Sequence, residues 1–215
     1  MRDRAAVVSV GTWAGGGFVA LLVVYMAALA VMTVRGLPFP PEEPFATTFH
    51  VIMMLAGLIM VPLWCAIHLA APAGKQVYTL VSLTFVVLCA VCTCANRFVA
   101  LTMVRQSAGR DAAAGLEWFQ PYGLPSLTFT LEMLGWGVFF SLACLFLAPA
   151  FWAGGIGVAF GVTGVLSLGG ALGLFLDSTA LMGAVAPLAW GIGPAVAVLM
   201  VLARLRVRPR DAAAA

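Results

Sequence analysis

The 215-residue sequence has little charge. Only 9% of its residues are Asp, Glu, Lys or Arg, whereas 63% are hydrophobic. A soluble domain carries about a quarter charged residues, so this scarcity excludes an ordinary soluble protein and indicates a membrane protein. The net charge is +3, and the basic residues are not interleaved with polar groups on one face. We therefore expect no nucleic-acid partner.

Cysteines are missing from the loops, and histidines are few. All five cysteines fall within apolar runs, so no disulfide framework is predicted. Cys89 and Cys92 form a CxxC pair, but membrane thiol oxidoreductases feed such a pair from loop cysteines. The two histidines, His50 and His68, fall near opposite ends of one apolar run, which favours interfacial positions over ligation of a haem at one depth.

Catalytic motifs are missing as well. The sequence contains no HExxH, GxSxG, Walker A or calcium-loop pattern. We expect no catalytic residue, no metal site and no cofactor. An intramembrane enzyme, or a redox or haem-binding membrane protein, remains the alternative to a non-enzymatic protein.

Six apolar runs are long enough to cross a bilayer as helices, which takes about twenty residues. They predict one all-α domain over residues 1–215, a polytopic bundle of transmembrane helices. The first run follows Arg2 and Arg4 and contains Ala28-Leu29-Ala30, like a secretory signal, but it is longer than the ~7–15 apolar residues of a signal. We expect it to be retained. The predicted spans are about 12–34, 49–71, 77–103, 126–148, 155–176 and 181–203.

The basic residues predict the orientation. Seven basic residues flank the spans on the side of the membrane that holds both termini, and three flank them on the other side. Because the more basic side stays in the cytoplasm, both termini are predicted to be cytoplasmic. The tail Arg204–Arg210 is expected to meet anionic lipid, at about 1 kcal/mol per cation. The seven are Arg2, Arg4, Lys75, Arg204, Arg206, Arg208 and Arg210, and the three are Arg35, Arg105 and Arg110.

Two charged residues lie inside the apolar runs. Arg97 and Glu132 are each about 9 Å from the same side of the membrane, near the end of the third span and the start of the fourth. Charges at such positions are rare and need partners. We expect them to pair, beside Asn96, in an outward-opening polar cluster with His50 and Asp177. A register-fixing ion pair is the first interpretation, and a proton-linked or ligand-binding site is the second.

Two further patterns concern packing. Tyr78, Ser82, Cys89, Cys92 and Asn96 share one face of the third span, interrupted by Phe85. That face predicts a packing seam, with a polar pathway as the alternative.

Small residues recur in the fifth span as Gly157-xxx-Gly161 and Gly169-xxx-Gly173. They predict close packing within the chain, or alternatively a homo-oligomer or a contact with another membrane protein. Pro187 and Pro194 predict a kinked or broken sixth helix.

The segments ANRF at Ala95–Phe98 and EMLGWGVFF at Glu132–Phe140 resemble those of bacterial integral-membrane families described only as domains of unknown function. The resemblance implies six helices, bacterial origin and residence in the plasma membrane, and it brings no activity. Because catalytic motifs and loop ligands are missing, we expect a non-enzymatic protein, either an accessory subunit or a small transporter-like protein.

Overall fold

A computed structural model describes residues 4–107, 115–122, 126–152 and 155–206. These residues form helices joined by short connections, and no strand occurs among them. Six of the helices in these residues are long and apolar enough to cross a membrane, which confirms the predicted all-α class. They are α1 (Arg4–Val34), α2 (Phe45–Ala70), α3 (Ala73–Ser107), α4 (Leu127–Ala150), α5 (Ile156–Phe175) and α6 (Ala180–Arg206).

The helices alternate in direction, and each packs on the next in the chain, while α6 also packs on α1. The core is apolar: the ring of Trp64 on α2 lies 6.2 Å from that of Phe140 on α4 and 6.0 Å from that of Phe160 on α5. We call the end where α1 begins and α6 ends the terminal end. The opposite end, which carries the α1–α2, α3–α4 and α5–α6 connections, is the cleft end.

The buried face of α3 is polar for most of its length. Ser82 accepts a hydrogen bond from Trp64 Nε1 (2.9 Å) and donates one to the Ala143 carbonyl (2.6 Å), so it links α2, α3 and α4. Such contacts are those of a packing seam. Tyr78 is not part of it, because its side chain is exposed beside Lys75. The seam comprises Thr79, Ser82, Val86, Cys89, Thr93 and Asn96.

The glycines of α5 pack within the chain, as the first interpretation predicted. A Cβ added to Gly157 would lie 2.5 Å from the carbonyl oxygen of Ala148 on α4. On the other side of α5, a Cβ on Gly170 would lie 2.6 Å from the indole of Trp190 on α6. In α6 the segment Pro187–Ile192 is a π-helical turn, so the prolines interrupt the α-helical hydrogen bonding without ending the helix.

Candidate functional site

The two membrane-embedded charges meet at the cleft end. Arg97 Nη2 lies 2.6 Å from Glu132 Oε1, which is the distance of a charge-assisted hydrogen bond. The residues are 3% and 8% exposed, so little water screens the pair. Asn96, the neighbour of Arg97 on α3, donates from Nδ2 to Glu132 Oε2 at 3.3 Å. Both carboxylate oxygens therefore have a donor, and the predicted contact among these three residues is present.

Two π-helical segments adjoin the pair. One, Ala100–Val104, begins three residues beyond Arg97, and the other, Met133–Phe139, begins directly after Glu132. A π turn adds a residue to the helical turn and is frequent at functional sites. In this π-helical region of α4, both Glu132 and Trp136 are buried and face the inside of the bundle.

His50, at the start of α2, is a direct partner of Arg97. The distance from Arg97 Nη1 to His50 Nδ1 is 3.1 Å, and the residue is 5% exposed. A guanidinium can only donate hydrogen bonds, so Nδ1 is the acceptor and the ring hydrogen is on Nε2. His50 is thus a neutral imidazole at this site. The sequence predicted its place in the cluster, and the structure shows its contact with Arg97.

Tyr122, from the connection between α3 and α4, completes the cluster. Arg97 Nη1 donates to its hydroxyl oxygen at 3.1 Å, and its ring stacks on His50 with the centroids 5.8 Å apart. Burial raises the pKa of the Tyr122 phenol above its ordinary value, so the group keeps its proton. Its backbone has φ 124°, a strained conformation for a residue other than glycine, of the kind that clusters at functional sites.

The sequence analysis did not identify Tyr122 as a member of the cluster. Trp118, on the same connection, is exposed. Tyr122 turns inward because its hydroxyl satisfies a second hydrogen of Arg97 Nη1 and its ring packs against Phe39, with the centroids 5.2 Å apart. The only sequence signal for this contact is that a buried arginine has five N–H donors and therefore needs acceptors beyond Glu132.

Asp177 is not brought into the cluster. It is exposed in the α5–α6 turn with φ 51°, and none of the hydrogen bonds around Arg97 involves it. The reason is topological: α5 and α6 pack on α4 and α1, away from the α2–α3 side where Arg97 lies.

A cleft of about 630 Å³ opens beside the cluster. Among its lining residues, His50 and Tyr122 also contact Arg97, so they connect the cleft to the buried ion pair. Its charged lining residues are Glu43 and Arg105. Hydrogen bonds from Thr47 hold the pKa of Glu43 below its usual range. The rest of the lining is mostly apolar or uncharged: Pro40, Pro41, Ala46, Thr47, Ala100, Leu101, Val104, Leu116, Gln120 and Pro121.

Four buried side-chain polar atoms have no hydrogen-bond partner among the described residues, and three of them lie near the ion pair: Arg97 Nε, with Thr93 Oγ1 and Trp136 Nε1 one turn deeper on α3 and α4. The fourth, Trp190 Nε1, is on α6. Buried polar atoms without partners are uncommon in proteins and are frequently satisfied by water or a ligand. The network around Arg97 therefore contains more donors than acceptors.

The remaining candidate groups lie apart. His68 is at the terminal end of α2, where its Nδ1 is 2.8 Å from Thr79 Oγ1. Cys89 and Cys92 carry free thiols within α3. In the described parts of the chain no three His, Cys, Asp or Glu side chains gather as metal ligands would.

Comparison of the chain with protein-family models, with curated proteins and with solved structures gives no match.

Proposed function

We propose that the protein is a non-enzymatic, multi-pass membrane protein that binds a ligand in the cleft beside His50 and Tyr122, as an accessory subunit would. The observation that carries the proposal is the double contact of these two residues, which line the cleft and bond the buried Arg97. Anchoring to a buried cation fixes both side chains in position. Preorganised polar groups in a largely apolar cleft are the usual composition of a ligand site.

The pairing of Glu132 favours a fixed role over transport of protons. A carboxylate that carries protons needs a free oxygen at which a proton can bind, and Arg97 already donates to Oε1 of Glu132 at 2.6 Å. Asn96 occupies the second oxygen of Glu132. Arg97 and Glu132 thus serve to hold the cleft walls in register, and His50 and Tyr122 are the groups that contact the ligand.

The proposed location is the plasma membrane of a bacterium, with the cleft end outside. Support comes from the basic residues: among those described, Arg4, Lys75, Arg204 and Arg206 belong to the terminal end, and Arg35 and Arg105 to the cleft end. Arg204 and Arg206 are then positioned to attract anionic lipid of the inner leaflet, together with Arg208 and Arg210, which lie outside the described residues.

The test is a thermal-stability screen of the purified protein in nanodiscs against a library of small metabolites. A ligand that binds only the folded state raises the melting temperature. We expect hits that disappear in Ala46→Trp, which fills the cleft, and persist in Ala27→Trp, which adds the same side chain to an exposed position on α1. Hits that survive Ala46→Trp would place binding elsewhere and contradict the proposal.

A further inference from the structure

We infer that the cleft selects an uncharged ligand that presents a carbonyl oxygen, or an equivalent neutral acceptor, to His50 and Tyr122. The inference rests on the proposed function, since it names the chemistry that the same cleft would recognise. Three features support it: the hydrogens that the polar groups leave unused, the balance of charge at the site, and the nature of the lining.

The unused hydrogens belong to donors. Because His50 Nδ1 accepts from Arg97, its hydrogen is on Nε2, on the opposite edge of the ring. Tyr122 accepts from Arg97 through its oxygen and keeps its own O–H hydrogen. Neither hydrogen has an acceptor among the described residues. Both donors belong to residues that line the cleft, so a ligand bound there can accept hydrogen bonds from them.

The charge balance determines that this oxygen is neutral. Arg97 and Glu132 already neutralise each other at 2.6 Å. A carboxylate or phosphate at His50 would add an uncompensated negative charge close to the buried Glu132, whose own charge Arg97 already balances, and the repulsion would cost free energy. Glu43 and Arg105 lie on the cleft walls with opposite charges, so they supply no net attraction. A carbonyl oxygen uses both donors without that cost.

The lining indicates an apolar body for the ligand. Besides the polar groups, the cleft presents aliphatic and proline side chains, among them Pro41, Leu101 and Val104. Its volume of about 630 Å³ lies within the range of about 300–1,000 Å³ typical of small-molecule pockets. The chemical class is therefore a lipophilic ketone, ester, amide or quinone.

The experiment compares three isotope-labelled probes of equal chain length: a medium-chain methyl ketone, the fatty-acid anion and the primary amine, which is a cation at neutral pH. Each is equilibrated with protein in zwitterionic nanodiscs and, as a correction for partition into lipid, with empty nanodiscs. We expect retention of the ketone by the protein at about one equivalent, and binding of the two charged probes at least about 10-fold weaker, the factor that 1.4 kcal/mol represents. The infrared carbonyl band of the bound ketone should move to lower frequency than in lipid, as a hydrogen-bonded carbonyl does.

Two variants address the donors. Tyr122→Phe should weaken ketone binding about 3- to 10-fold, the effect of one neutral hydrogen bond, and reduce the infrared shift. His50→Gln keeps an acceptor for Arg97 and a donor for the ligand, so it should retain more affinity than His50→Leu. The matched controls are Tyr78→Phe and His68→Gln at the terminal end, which should bind like the parent.

The outcomes separate the two proposals. Tighter binding of the fatty-acid anion, sensitive to Tyr122→Phe, would overturn the neutral-ligand inference and leave the ligand-binding cleft intact. Ketone binding that Ala46→Trp does not affect would overturn both. Ketone retained with an unshifted carbonyl band would overturn the role of the two donors, and this result does not depend on any variant being folded.

Discussion

At the residue scale, Arg97 links the segments that build the cleft. Through its two terminal nitrogens it bonds Glu132 of α4, His50 of α2 and Tyr122 of the connecting segment. Taking a guanidinium out of water is costly, and each of these contacts offsets part of that cost. The ion pair thus holds these segments in a defined arrangement, and substituting its members should change the free energy of unfolding in a characteristic way.

Arg97→Leu and Glu132→Leu should each lower the free energy of unfolding by about 3–5 kcal/mol, because each leaves a buried charge without its partner. The double variant should lie closer to the parent than the sum of the two, since no uncompensated charge remains. Chemical unfolding in mixed micelles measures the free energy of unfolding of the parent, the two single variants and the double variant, which together form a double-mutant cycle. Arg105→Leu, an exposed arginine at the cleft, is the control. Strict additivity of the single effects would show that the pair has no coupling.

At the element scale, the helices and the ion pair were predictable from sequence, whereas the loop contact was not. The apolar runs predict six helices, because in lipid a chain segment must satisfy its backbone hydrogen bonds within itself. Arg97 and Glu132 lie at equal depths on consecutive helices, and because such helices pack together, the contact between them was predictable. Tyr122 depends on a left-handed backbone conformation and on ring contacts with the distant Phe39. Asp177 was misplaced because sequence order does not reveal which helices face the α2–α3 side.

The two ends of one small-xxx-small motif on α5 should respond differently to the same change. Gly157→Ala places a Cβ 2.5 Å from the Ala148 carbonyl oxygen and 2.6 Å from Trp152 Cα. Both are backbone atoms, so α5 must move, at a cost of about 1–3 kcal/mol. Gly161→Ala meets nothing closer than 3.8 Å and gains helix propensity of up to about 1 kcal/mol. Melting temperatures in detergent should fall for the first and hold or rise for the second. Equal losses would contradict the packing described for α5.

At the scale of the whole molecule, charge is distributed unevenly between the two ends of the bundle. The terminal end carries basic residues on α1, α6 and the start of α3, among them Lys75 and Arg204. The cleft end carries Glu42, Glu43 and Glu117 together with Arg35 and Arg105. Because insertion retains the more basic flanks in the cytoplasm, the proposed orientation turns the cleft outward. A ligand would then reach the cleft from outside the cell or from the outer leaflet.

Single reporter cysteines test this orientation. Glu42→Cys lies on the α1–α2 connection at the cleft end, and Gly74→Cys lies in the first turn of α3 at the terminal end, where a Cβ meets no atom within 4 Å. In intact cells a membrane-impermeant maleimide should label Glu42→Cys, and it should label Gly74→Cys only after lysis. The parent chain is the background control, because its five cysteines all lie within membrane-spanning helices. If only Gly74→Cys were labelled in intact cells, the bundle would have the opposite orientation, and the cleft would face the cytoplasm.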